Sequence, residues 1–166
     1  MASTRTLLLM RHARAQDFAP GLSDEERPLT EAGVEQAAAV GEFLRGLDLS
    51  IDHVLCSAAT RTQQTCAALE LGVPVEYSWA VYNAGSERIL EAITETFTDD
   101  VRVGLVIGHA PGIPALMHTL ADDSSDTDAL KTVGNQFPTG TLVQLAFEGS
   151  WHELDGAQLQ RARLGR

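Results

Sequence analysis

The segment from Val101 to Ile107 constrains the fold more than any other. It is a nearly continuous apolar run that stops abruptly at Gly108-His109-Ala110-Pro111-Gly112. A strand of this kind has no polar face, so protein must cover both of its sides. The other segments supply that cover. Thr6 to Met10, Ile51 to Cys56 and Val75 to Tyr77 read as further strands. Helices are expected from Glu31 to Gly46 behind a Thr30 cap, over Arg61 to Leu69, from a Ser86 cap through Phe97, and through Leu116 to Leu120. Val34, Ala37, Ala38, Gly41 and Leu44 form the expected apolar face of the first helix. Gly140 to Phe147 is a last clear strand, and after the turn at Glu148-Gly149-Ser150 the segment Trp151 to Leu154 is expected to pair with it. Alternating strands and helices give a three-layer α/β/α sandwich with a mostly parallel sheet and an antiparallel edge. With 166 residues, no repeat and no linker, residues 1–166 read as one domain.

Charge narrows the function. Twelve Lys and Arg against 23 Asp and Glu leave a formal charge of −11. Such a field repels phosphate backbones, so nucleic-acid and anionic-membrane binding are not expected. Lys131 is the only lysine; the other basic residues are arginines, which read phosphate and carboxylate with two prongs. An acidic chain that binds an anion must do so in a local arginine pocket. Cys56 and Cys66 form no metal-ligand or Cys-x-x-Cys pattern. The apolar run Leu7 to Met10 is too short for a signal-peptide core. The expected location is the cytoplasm.

In a parallel sheet, ligands bind beyond the carboxyl ends of the strands. Here three such ends carry Arg11-His12-Ala13-Arg14, Ser57 leading to Arg61-Thr62, and Gly108-His109. Arginines with a helix N-terminus suit a tetrahedral dianion. Histidine can attack phosphorus and hold it covalently, and a second histidine can donate to the phosphoryl oxygens as charge develops. There is no Walker-type glycine loop and no metal-ligand spacing. The expected chemistry is phosphoryl transfer to histidine without metal or cofactor.

These motifs resemble those of the histidine phosphatase (phosphoglycerate mutase-like) superfamily. Arg11-His12-Ala13 resembles its Arg-His-Gly signature. Arg27-Pro28-Leu29-Thr30 with Gly33 resembles the lead into its first helix. Ser57-Ala58-Ala59-Thr60-Arg61-Thr62-Gln63-Gln64-Thr65 resembles Ser-x-x-x-Arg-x-x-x-Thr, and Val106-Ile107-Gly108-His109 resembles the third signature. All stand in family order between Leu7 and about Gly112. The resemblance implies His12 as the phosphorus nucleophile and Arg11, Arg61 and His109 as the phosphoryl clamp. The gap between Thr65 and the central strand is too short for the helical insertion of larger members. The chain therefore looks like the short SixA-type branch, whose activity is protein phosphohistidine phosphatase. Ala13 in place of glycine also occurs in that branch.

The insertion carries the larger members' general acid, and this chain has no clear match for it. Glu87 is the available candidate, with a helix-start charge as the plain reading. Without an acid, an alkoxide leaving group is poor, since water-like alcohols ionise at a pKa of about 15. Imidazole, whose conjugate acid has a pKa of about 6.5, leaves far more easily. The absence therefore points to phosphohistidine, and the missing lid to a site that a protein surface can reach. Arg14 is a candidate for the substrate's flank and Asn83 for the leaving group. Ser57 and Thr62 are candidates for holding Arg61 or binding phosphate oxygens, with helix capping as the competing reading. His53, His118 and His152 are expected at the surface or in local bonds, Asp122 to Asp128 in a solvated loop, Arg161, Arg163 and Arg166 in a surface tail, and Trp79 and Tyr82 in packing. The expected partner is a phosphohistidine protein or a small phosphorylated substrate, with phosphate as product. A small-molecule phosphomonoesterase and a non-catalytic phosphate-docking module are the alternatives.

Overall fold

The computed structural model describes residues 3–166. Six strands form one sheet: β1 (Thr4–Arg11), β2 (His53–Ser57), β3 (Val75–Ser78), β4 (Val103–Gly108), β5 (Leu142–Glu148) and β6 (Gln158–Arg163). Their spatial order is β3-β2-β4-β1-β5-β6. The pairs β3·β2, β2·β4 and β4·β1 are parallel, and β1·β5 and β5·β6 are antiparallel. The mostly parallel sheet with an antiparallel edge is the one the sequence suggests.

Side-chain alternation builds the two outer layers. Leu7 and Leu9 of β1 face α3 (Ser86–Thr96), α4 (Gly112–Leu120) and the short α5 (Thr127–Thr132), packing with Ile93, Leu116 and Ala129. Leu8 and Met10 face α1 (Glu31–Gly46) and α2 (Thr60–Leu69), packing with Val40, Leu44 and Leu69. β4 is buried along its whole length, as its composition requires. No helix among the described residues is long and apolar enough to cross a membrane.

Several local expectations are corrected. Trp151–Glu153 is a 3-10 turn, and the fully buried Trp151 indole donates to the Val101 carbonyl at 2.9 Å. The strand that pairs with β5 lies later, so Arg161 and Arg163 belong to β6 and pack at the surface. Both guanidinium groups lie over the Phe43 ring, 5.9 and 5.3 Å from its centroid. The acidic segment ends in the start of α5, capped by Asp126, whose carboxylate accepts from the Ala129 amide at 2.8 Å. On α1 the buried face is Gly33, Ala37, Val40, Gly41 and Leu44, while Val34 and Ala38 are exposed. Gly85, not Ser86, occupies the N-cap of α3.

One glycine fixes the loop that follows β1. Thr30 caps α1 by accepting from the Gly33 amide at 2.9 Å, and its own amide donates to the Arg14 carbonyl at 3.0 Å. A Cβ on Gly33 would overlap that same carbonyl. Gly33→Ala gains about 1 kcal/mol of helix propensity but forces backbone against backbone, which costs about 1–3 kcal/mol. The clash wins because a main-chain carbonyl cannot rotate aside. The expected result is a lower Tm in a thermal melt; an unchanged or higher Tm would contradict this packing.

Candidate active site

β1, β2 and β4 are parallel neighbours, so their carboxyl ends open on one edge of the sheet. Beyond β1 the chain is pinned from both sides. The His12 amide donates to the Gly108 carbonyl at 2.9 Å, and the Gly140 amide donates to the His12 carbonyl at 2.9 Å. The Ala13 amide donates to the Thr65 hydroxyl at 3.0 Å, and that hydroxyl donates to the Arg61 carbonyl at 2.7 Å. Thr65 thereby ties the His12 loop to α2.

His12 is buried, at 7% exposure. Its Nδ1 lies 2.7 Å from the Ala13 carbonyl. A carbonyl only accepts, so Nδ1 carries the ring proton and Nε2 keeps its lone pair. Burial pushes the imidazole down to a pKa of about 4, helped by Arg61, Arg11 and Arg27 and opposed by the Ala13 hydrogen bond. His12 is therefore a neutral base at neutral pH.

Ser57 ends β2 and is fully buried. Its Oγ accepts from the Ala59 amide at 3.4 Å and lies 2.8 Å from His109 Nε2. In the tautomer whose Nε2 accepts the Ser57 proton, neutral His109 carries its own proton on Nδ1. Burial, then Arg61 and His12, lower the His109 pKa to about 3 against an upward pull from Asp24. The His12 and His109 rings are 5.3 Å apart.

Three buried nitrogens at this edge have no partner among the described residues: Arg11 Nε, Arg61 Nε and His109 Nδ1. They come from the end of β1, the first turn of α2 and the residue after β4, and the two arginine nitrogens always carry a proton. A buried donor without an acceptor costs about 1–3 kcal/mol. A set of three beside a neutral imidazole base fits a tetrahedral oxyanion. The rest of the Arg11 fork is anchored by Nη1 donating to the Phe137 carbonyl at 2.9 Å.

Arg61 is held differently from the expectation. Thr62 does not touch it; its hydroxyl sits 2.7 and 2.8 Å from the Ser57 and Ala59 carbonyls and braces the turn. Ser57 serves His109. Neither side chain caps α2, whose N-cap is Ala59. The Arg61 fork instead meets Asp24, with Nη1 donating to its carbonyl at 2.7 Å and Nη2 to Oδ2 at 3.0 Å. Asp24 opens a 3-10 turn (Asp24–Glu26). Its Oδ1 accepts from Arg27 Nε and Nη2 at 3.1 and 3.0 Å, and its Oδ2 also accepts from the Tyr82 hydroxyl. Partial burial works upward on this carboxyl, but the bonds from Tyr82, Arg61 and Arg27 hold it down to about 2.

Sequence reasoning missed Asp24 and assigned Tyr82 to packing. Tyr82 stands edge-on to His109 at 5.4 Å and to Trp79 at 5.5 Å, and Trp79 itself is exposed. The available signal for Asp24 was its place three residues before the Arg27-Pro28-Leu29-Thr30 motif. Arg14, Asn83 and Glu87 are exposed, and their side chains make no hydrogen bond or ion pair among the described residues. Asn83 serves a turn, with φ of 49°. No three His, Cys, Asp or Glu side chains converge as metal ligands among the described residues.

Comparisons with known proteins bear on the family and the fold. Residues 7–81 match the histidine phosphatase superfamily (branch 1). A putative phosphohistidine phosphatase SixA from Nakamurella multipartita is 36% identical, with a TM-score of 0.86 over 99% of this chain and 98% of that one. A putative phosphohistidine phosphatase SixA from Agrobacterium tumefaciens is 28% identical, with a TM-score of 0.75 over 98% and 96% of the two chains. An uncharacterized protein of Mycobacterium tuberculosis is 34% identical over 88% of this chain and 92% of its own length. By sequence and by fold, the chain belongs to the histidine phosphatase superfamily, among its short, SixA-like members.

Proposed function

We propose that this chain is a metal-independent phosphatase that works through a phosphohistidine on His12 and acts on protein phosphohistidine. The observation that carries the reading is a neutral His12, with its Nε2 lone pair free, beside three buried nitrogens without partners among the described residues. His12 Nε2 attacks phosphorus as the bond to the leaving group breaks, and the leaving group takes that electron pair. Arg11, Arg61 and His109 donate to the phosphoryl oxygens. Water then forms the new P–O bond, the P–N bond to His12 returns its electron pair to Nε2, and phosphate leaves. Arg14, exposed two residues beyond His12, meets the substrate's flank.

The absence of a proton donor supports the substrate class. Asp24 at about 2 holds no proton at neutral pH, and Glu87 is exposed and unconnected to the site. Only the segment Trp79 to Gly85 lies between β3 and α3, which leaves no room for a helical lid. The SixA-type names of the similar structures point the same way. Two free, buried cysteines are in keeping with work in the reducing cytoplasm.

The test is phosphate release from a phosphohistidine peptide in the presence of EDTA. Wild-type protein is expected to release phosphate at an undiminished rate. Loss of activity in EDTA would overturn metal independence. Hydrolysis of sugar or nucleotide phosphates but not of phosphohistidine would move the reading to a small-molecule phosphomonoesterase. Phosphate binding with no turnover of any substrate would move it to a docking module.

A further inference from the structure

A phosphatase that clamps an anion gains nothing for binding by setting a carboxylate against its own arginine, yet Asp24 does this at 3.0 Å from Arg61. Its four acceptor positions are filled, two by Arg27, one by Arg61 and one by the Tyr82 hydroxyl. Asp24 therefore has no position left for a substrate. Tyr82 does. Its proton is committed to Asp24, and no donor among the described residues reaches its oxygen, so both lone pairs of a half-buried phenol are available. The ring is fixed edge-on between His109 and Trp79, and its face lies 5.9 Å from the Arg61 guanidinium carbon. The hydroxyl is thus an acceptor at the rim of the phosphoryl clamp, polarised by an ionised carboxylate behind it.

We propose that Tyr82, backed by Asp24, is a specificity-determining residue that accepts a hydrogen bond from the protonated distal ring nitrogen of the substrate's phosphohistidine. The assignment rests on the phosphohistidine reading above and names the residue that enforces it. Phosphorus bonds to one ring nitrogen of the substrate, and the other carries a proton. As His12 Nε2 forms its bond to phosphorus, the substrate's P–N bond breaks and its electron pair stays on the released nitrogen. The distal proton remains where it was, and a neutral imidazole departs. No acid is consumed. An alkyl phosphate offers no N–H to Tyr82 and needs a proton that neither Tyr82 nor Asp24 can give. Burial and the Asp24 bond raise the Tyr82 pKa, so the phenol keeps its proton on Asp24 across the working range.

The charges around the hydroxyl are Asp24 and Glu25 on the favourable side for an imidazolium and Arg61 on the other, with Arg27 on the far side of Asp24, Arg11 beside the two histidines, and His12 and His109 neutral. The bound imidazolium is held protonated to higher pH by the Tyr82–Asp24 pair. Tyr82→Phe keeps the ring and removes the acceptor. The experiment measures kcat/KM for a phosphohistidine peptide and for p-nitrophenyl phosphate, with a pH profile of kcat for the peptide. In Tyr82→Phe the ratio of the two kcat/KM values is expected to fall about tenfold, and the alkaline limb of kcat to move down by about one pH unit. Asp24→Asn keeps an oxygen for Tyr82, removes the charge, and is expected to lower the same ratio. An unchanged ratio with an unmoved limb would overturn the assignment while leaving the phosphohistidine reading intact. A wild type that hydrolyses p-nitrophenyl phosphate but not the peptide would overturn that reading, and the assignment with it.

Discussion

Replacement of His12 by alanine is expected to lower kcat on any phosphorylated substrate by at least about 10⁴-fold, because in the proposed mechanism it removes the nucleophile itself and no second group can take its place. His109 lies 5.3 Å from the His12 ring, but its Nε2 is tied to the Ser57 hydroxyl at 2.8 Å. The pH behaviour gives a second readout. His12 titrates at about 4 in the folded protein and at about 6.5 in the unfolded chain. Between those values the unfolded chain holds the extra proton, so stability rises with pH at up to about 1.4 kcal/mol per unit for this group. That contribution is complete above about 6.5 and is lost as the pH falls toward 4. Wild-type activity should accordingly persist below pH 6, since the nucleophile stays unprotonated, and the His12→Ala variant should lose less stability on acidification. Denaturant melts at pH 7 and pH 5 measure the second effect. Equal pH slopes in the two proteins would mean that His12 is not held neutral by burial, and substantial turnover by the variant would end the proposed mechanism.

What the sequence revealed, and what it hid, follows from the range of the interactions. The strands β1, β2 and β4 were legible because each is a local apolar run ended by polar residues, and burial of both sheet faces leaves no other use for such a run. Once the strands were placed, topology carried Arg11, His12, Arg61 and His109 to one edge without any knowledge of side-chain contacts. β6 was not legible. Of its six residues only Leu159 is fully buried, so no apolar alternation marks the strand. Trp151 drew the assignment toward itself instead, although a lone buried indole with a long-range partner says nothing about local backbone. Asp24 was hidden for a similar reason. Its partners Arg61 and Tyr82 lie 37 and 58 residues away, and an acidic residue in a polar loop resembles every other solvated carboxylate until the chain has folded. Ser57 and Thr62 were found as residues, but the division of labour between them depends on hydroxyl directions that no spacing encodes.

Replacement of Arg61 by lysine is expected to cost about 10²–10³-fold in kcat/KM, as much as removing an oxyanion donor elsewhere. The substitution keeps the charge, so the loss would report on geometry. Arg61 uses two ends of one planar group: Nη1 and Nη2 grip Asp24, and Nε remains a buried donor without a partner among the described residues, free for the proposed phosphoryl group. A lysine ammonium is a single point and cannot occupy both places. If it stays on Asp24, the clamp loses a donor; if it turns to the phosphoryl group, Asp24 loses its main buried partner. The second outcome is visible without any assay of turnover. Asp24 sits at about 2 through the bonds from Tyr82, Arg61 and Arg27, and losing one of them moves its pKa toward the ordinary carboxylate range. A carboxyl resonance titrating at higher pH in Arg61→Lys, together with weaker inhibition by inorganic phosphate, is the expected pair of signs. Near-wild-type kcat/KM in this variant would show that charge alone suffices at Arg61, and that the two-ended grip on Asp24 is dispensable for chemistry.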